Sequence, residues 1–289
     1  MSFQIMTDTA SDLSFDYYKE NKVFFTGFTI NMNNREYRTD VEGEIDPDWF
    51  LESLQAGAEP TTSQVNVGKF LEIFTTFAKE GQPVLYIAFS SGLSGTFNSS
   101  LQARDMLLED FPHADVRIFD TRMASGGQAL FVEKAVQMKK EGKPLDEIVS
   151  ELEYLQKKVQ AWVTVDDLHH LVRGGRLSKA SAIIGTLASI KPILDVDLDG
   201  KLRAVSKVRG RKKSISTLVD LTLTDLPNPE EQIIYINYSG DREAALSLKE
   251  KIQSEISVKD IVIHPLGPTI ATHTGYGCVA VFSIHSNER

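Results

Sequence analysis

Hydroxyls, glycines and one histidine are where this 289-residue chain could do chemistry. Ser90 to Thr96, SSGLSGT, directly follows the apolar run Val84 to Phe89 and precedes a helical pattern from about Phe97 to Leu108. A loop so rich in glycine and hydroxyls, placed between strand and helix, can aim hydroxyls and backbone N–H groups at one anion. It reads as a seat for a carboxylate or phosphate. Three other segments share its composition: Thr7 to Asp12, Thr61 to Gln64 and Asp120 to Gly127. His273 stands among threonines between Gly267 and Gly275, in what reads as a loop between two strands. Both a structural and a ligand-binding histidine fit that setting. In Leu171 to Ser178, LVRGGRLS, paired glycines separate Arg173 from Arg176; an unusual backbone there would present two guanidinium groups, which suit phosphate, while plain surface charge is the simpler alternative.

Other chemistries fit less well. Gly92-Leu93-Ser94-Gly95 approaches the nucleophile elbow of hydrolases but has one residue too few before the second glycine, and no third, acidic partner is apparent. A serine esterase or thioesterase using Ser94 and His273 stays as the alternative function. No phosphate-binding glycine loop ending in Lys and Ser or Thr is present, and Gly275 to Ala280 runs into a strand where a dinucleotide fingerprint needs a helix. His169 and His170 are adjacent, which aims their rings apart, so no metal site is expected. Cys278 is the one cysteine, which excludes an intramolecular disulfide and suits a small packed hydrophobe in a reducing compartment.

These residues need elements to hold them. Phe3 to Met6, Val84 to Phe89 and Val116 to Phe119 read as strands, alternating with helices to about residue 160. Asp46-Pro47 opens one helix, Phe70, Ile73, Phe74 and Phe77 mark the next, and Ile148, Leu152, Leu155 and Val159 a later one. That alternation predicts a parallel sheet covered on both faces, with ligands at the carboxyl ends of its strands, where the hydroxyl-rich loops would converge. Beyond Ala161 the pattern changes to a strand, a hairpin turning at Asp199-Gly200, a strand–helix–strand unit over residues 233–263 and a last strand from Val279 to Ile284. Two domains, 1–160 and 161–289, are expected from this change and from the length.

With 42% hydrophobic and 25% charged residues the chain has the composition of a soluble globular protein, without an apolar stretch able to cross a bilayer or a leader segment. A cytoplasmic location is expected. The net charge of −9 argues against nucleic-acid binding, which needs a coherent excess of Lys and Arg. One local exception, the basic run from Lys201 to Lys213, suits a solvated hairpin or a dock for an acidic or phosphate-carrying partner, the latter making the chain a lipid-responsive regulatory sensor.

Taken in order, Thr61 to Gln64, SSGLSGT, the Asp120 segment, LVRGGRLS, Lys191-Pro192-Ile193 and Gly267 to Gly277 resemble the DegV family of bacterial fatty acid-binding proteins, over essentially the whole chain. The resemblance implies a two-domain fold, a parallel-sheet α/β/α domain followed by a mixed α+β domain. It implies a non-catalytic subunit, free of metal and nucleotide, that holds one long-chain fatty acid and presents it to an ATP-dependent kinase subunit for acyl-phosphate formation in phospholipid metabolism. By motif, Thr62, Ser94 and His273 would contact the carboxylate, with Thr61 as the neighbour of Thr62. Arg173 first and Arg176 second would serve phosphotransfer or kinase docking. Ile183, Ile184, Leu187 and Ile190 are expected in the wall of the lipid tunnel. Stable membrane insertion is not expected; transient contact stays open. Val65, Ala271 and Tyr276 depart from the proline, glycine and proline common in the family, changes that bear on chain selectivity or loop position.

Overall fold

The computed structural model describes residues 3–166, 168–178 and 189–289. The chain opens with β1 (Gln4–Asp8), α1 (Phe15–Glu20) and β2 (Phe24–Thr26), then β3 (Thr29–Met32), β4 (Arg35–Arg38), α2 (Pro47–Gln55) and β5 (Thr61–Ser63). Next come α3 (Val67–Lys79), β6 (Val84–Ala88), α4 (Thr96–Asp110), β7 (Val116–Asp120), α5 (Ser125–Lys140) and α6 (Leu145–Gln156). The rest is β8 (Val159–Thr164), α7 (His169–Arg173), β9 (Ile190–Val196), β10 (Leu202–Arg209), α8 (Arg211–Leu223), β11 (Ile233–Ser239), α9 (Arg242–Glu255), β12 (Asp260–Pro265), α10 (Pro268–Thr274) and β13 (Cys278–Ile284).

The first sheet has the order β2-β1-β6-β7 and is parallel throughout. Every residue of β6 is buried, which explains its continuous apolar sequence. Its side chains alternate between two cores: Val84, Tyr86 and Ala88 join Phe70, Phe74 and Leu107 of α3 and α4, whereas Leu85 and Ile87 meet α5. As expected, Asp46 caps α2 by accepting the Trp49 N–H at 2.7 Å, with Pro47 in the first turn.

The large sheet is mixed, in the order β10-β9-β8-β13-β11-β12, with only β11 and β12 parallel. Along its central strand β13, Val279 and Val281 face α8 and α9, while Cys278, Ala280 and Phe282 face α5. Helix α5 is therefore clasped between the two sheets, and its consecutive residues Ala129, Leu130, Phe131 and Val132 are all buried. The first half of the helix is enclosed on all sides and only its second half carries polar residues that reach the surface, Glu133, Lys134, Gln137 and Lys140, so the sequence shows weak helical periodicity.

Three expectations need correction. Val159 opens β8 and does not continue the face of α6, which ends at Gln156. Thr61 to Ser63 is a strand, not a loop: β5 pairs with β3, Thr62 opposite Ile30, in a small antiparallel sheet of order β4-β3-β5. His273 lies on a helix, α10, rather than in a loop. Threonine-rich sequence disfavours helix, but Pro268 sits in the first turn, and Thr272 and Thr274 turn their hydroxyls onto the carbonyls of Pro268 and Ile270. The hairpin turn at Asp199-Gly200 is present, with Gly200 at φ +75°. Ile183, Ile184 and Leu187 lie outside the described residues; Ile190 is the first residue of β9.

Candidate functional site

A cavity of about 140 Å³ lies between the carboxyl ends of the parallel sheet and the inward face of the mixed sheet. Strand periodicity builds its apolar side: Cys278, Ala280 and Phe282 of β13 and Leu194 and Val196 of β9 point inward together. The cavity wall on β9 thus lies further along the strand than Ile190. Thr62, Gln64, Ser94, Arg176 and His273 supply polar lining.

Thr62 and His273 are 211 residues apart, and Thr62 Oγ1 lies 2.8 Å from His273 Nε2. Alternation along β5 turns Thr61 outward, where it is exposed. Burial, then the guanidinium groups of Arg176 and Arg173, then His170 push the His273 imidazole down to about 3, so it is neutral near pH 7. With its proton on Nε2 the ring donates to Thr62, leaving the threonine O–H free to donate to an acceptor in the cavity. His273 Nδ1 is buried without a hydrogen-bond partner among the described residues. It packs against Gly174, where an added Cβ would overlap Nδ1. The first glycine of LVRGGRLS thus permits close approach of the histidine, besides ending α7.

Ser94 is 9% exposed; its Oγ is 2.9 Å from Thr96 Oγ1 and accepts the Thr96 N–H at 3.2 Å. It lines the cavity while steadying the start of α4. The preceding residues are braced by the hairpin turn, with Ser90 Oγ donating to Gly200 O at 2.7 Å. A Cβ on Gly92 would come within 2.5 Å of the Asp199 carbonyl.

The two arginines divide. Arg176 reaches the cavity wall, donating through Nε to Leu93 O at 2.9 Å and through Nη1 to Gly174 O at 2.6 Å. Arg173 instead donates to Pro60 O at 3.3 Å and comes within 4.0 Å of the Glu59 carboxylate. Of the basic run, Arg203 pairs with Asp195, and Arg211 pairs with Asp166 and Asp241.

A search with family models matches residues 2–286 to the uncharacterised proteins of the DegV family. The chain belongs to the DegV family. A DegV domain-containing protein of Lactococcus lactis subsp. lactis is 43% identical over 289 residues, the full length of both chains. Among solved structures, that of a DegV family protein from Thermus thermophilus, described as binding fatty acid, superposes with a TM-score of 0.88 at 30% identity over 99% of this chain and 100% of that one. DegV of Bacillus subtilis, described as a fatty acid binding protein, gives 0.86 at 29% identity over 99% and 100%. The α/β architecture of parallel and mixed sheets is thus the DegV fold.

In this DegV chain Ser94 and His273 do not form a hydrolase dyad. The Nε2 of His273 is engaged with Thr62, and no carboxylate hydrogen-bonds the ring among the described residues. Cys278 is buried in the cavity wall, and burial pushes its thiol up to about 12, as for a packing residue. No group of three His, Cys, Asp or Glu among the described residues is placed to hold a metal ion, and no helix among them is long and apolar enough to cross a membrane.

Sequence reasoning missed the role of Asp12. Its carboxylate accepts the Gly267 N–H at 3.0 Å and the Ser125 hydroxyl at 2.6 Å, joining the first turns of α10 and α5. Asp12 and Ser125 both adopt left-handed φ values, +54° and +50°. Burial pushes the Asp12 carboxyl up to about 7. Its place in a hydroxyl-rich loop after a strand was the available signal; its partners, 113 and 255 residues away, were not.

Proposed function

We propose that this DegV protein is a cytoplasmic, non-catalytic subunit that binds one long-chain fatty acid and presents it to an ATP-dependent kinase for acyl-phosphate formation. The observation that carries the lipid reading is the cavity itself: apolar strand faces lead to a hydroxyl–imidazole pair, Thr62 and His273, with Ser94 on the adjoining loop. Neutral donors satisfy a carboxylate without burying a permanent countercharge, and Arg176 supplies positive potential from the wall. Each buried CH₂ of the tail contributes about 0.8 kcal/mol. Thr61, exposed on the far face of β5, is outside the cavity lining. Arg173, outside the cavity lining and beside Glu59, is the residue assigned to the kinase or the phosphoryl group.

Mass spectrometry of the purified protein, native and then denatured, tests the lipid part. One stoichiometric released fatty acid is expected; a protein that carries none and takes up none on addition would end this reading. For the kinase part, Arg173→Ala should keep its lipid yet lose acyl-phosphate formation with the kinase and ATP. Unchanged phosphorylation would remove Arg173 from that role.

A further inference from the structure

Two buried side-chain polar atoms that lack a hydrogen-bond partner among the described residues belong to residues lining the cavity: Nδ1 of His273 and Oγ1 of Thr269. Thr269 is 3% exposed and precedes His273 by four positions on α10, so the two side chains rise from one face of the helix, about 5–6 Å apart at Cβ. A threonine serving only to pack against an acyl chain gains nothing from its hydroxyl, because valine has the same shape without a polar atom to desolvate. The other hydroxyls of α10 and that of Ser125 are spent: Thr272 and Thr274 on backbone carbonyls, Ser125 on Asp12. Rotation about χ1 lets the Thr269 hydroxyl and methyl exchange places without changing the side chain's outline.

We propose that Thr269 is a specificity-determining residue that hydrogen-bonds an oxygen substituent on the ligand within a few carbons of its carboxyl group, so that the cavity favours 3-hydroxy long-chain acids over their unsubstituted counterparts. The distance from the carboxylate follows from helix geometry, since one turn of α10 separates Thr269 from His273. This inference rests on the fatty-acid reading above and selects among fatty acids. The hydroxyl of Thr269 both donates and accepts, so hydroxyl and keto oxygens suit it equally.

The test compares equilibrium binding of hexadecanoic acid, 3-hydroxyhexadecanoic acid and, as a distal control, 12-hydroxyoctadecanoic acid against octadecanoic acid, for the protein stripped of lipid and for Thr269→Val. The 3-hydroxy acid should bind the unsubstituted protein about three- to tenfold more tightly than hexadecanoic acid, the gain of one net hydrogen bond. The distal hydroxyl should give no such advantage. In Thr269→Val the preference should vanish while hexadecanoic acid binds at least as well. Equal affinities in the original protein, or a preference that survives Thr269→Val, would overturn the assignment. Failure of hexadecanoic and octadecanoic acids to bind at all would instead strike the fatty-acid reading, and the assignment with it.

Discussion

The two ends of α10 are held by buried titratable groups, and they differ in completeness. At the Gly267 end, both carboxylate oxygens of Asp12 are occupied, by a backbone N–H and a serine hydroxyl. At the His273 end, the imidazole has one partner, Thr62, and one ring nitrogen with none among the described residues. Burial moves the two groups oppositely, Asp12 up to about 7 and His273 down to about 3. The first end is a finished structural junction, whereas at the second the Thr62 hydroxyl, receiving the ring's Nε2–H, keeps its own O–H to donate. The proposed carboxylate site lies at the end whose hydrogen bonding is unfinished.

The largest effect should come from breaking the finished junction. Asp12→Ala orphans two buried donors and should cost about 2–4 kcal/mol in urea unfolding. Asp12→Asn can still accept from Gly267 and can donate to Ser125, so it should cost less than half as much; equal losses would show that the two hydrogen bonds are not what matters. Next, at the ligand end, His273→Ala should lower fatty acid affinity roughly tenfold or more, because the Thr62 hydroxyl that it orients would no longer be held to donate to the charged carboxylate. Gly174→Ala should imitate it by displacing the ring, and retention of bound lipid by either variant would contradict the proposed carboxylate site. Ser94→Ala should weaken binding by about 1 kcal/mol, measured by displacement of a fluorescent fatty acid.

A last contrast separates the two ends by pH, as opposite slopes. Because the folded-state value of His273 is depressed below 6.5, its neutral form contributes stability that is complete above about 6.5 and lost as pH falls toward 3. Asp12, raised above 3.8, contributes stability that is complete below about 4 and lost as pH rises through 7. Relative to His273→Gln, the original protein should therefore gain stability from pH 4.5 to 6.5. Relative to Asp12→Asn, it should lose stability from pH 4.5 to 8. Denaturant titrations at these pH values check both signs, and a ratio flat with pH in either pair would show that the group titrates alike in the folded and unfolded chain.

Local signals made much of this legible. The run Val84–Ala88 showed itself as a fully buried parallel strand, Asp46-Pro47 as a helix start and Asp199-Gly200 as a turn, because each depends on neighbouring residues alone. The DegV motifs pointed to Thr62 and His273, and the structure brings that pair together. What stayed hidden depends on distant partners. Thr61 and Thr62 look equivalent in sequence until pairing with β3 assigns them opposite faces. Gly174 looks like a presenter of arginines until His273 arrives against it, and Arg173 and Arg176 look alike until Leu93 and Pro60 take one each. Helix α10 was misread for a different reason, since threonine propensity was overridden by a proline start and by hydroxyls turned back onto the helix's own carbonyls.

The enclosure of α5 bears on how the chain comes to be folded at all. While the protein is being synthesised, the parallel sheet and α5 are complete long before β13, the central strand of the mixed sheet that covers the helix's other side. Phe131 already packs on Phe119 of β7, but until residues 278–284 emerge Gly126 and Gly127, which receive Phe282, lack their cover. The nascent first half must therefore wait with one face of that helix uncovered, and expressed as a separate fragment it should aggregate.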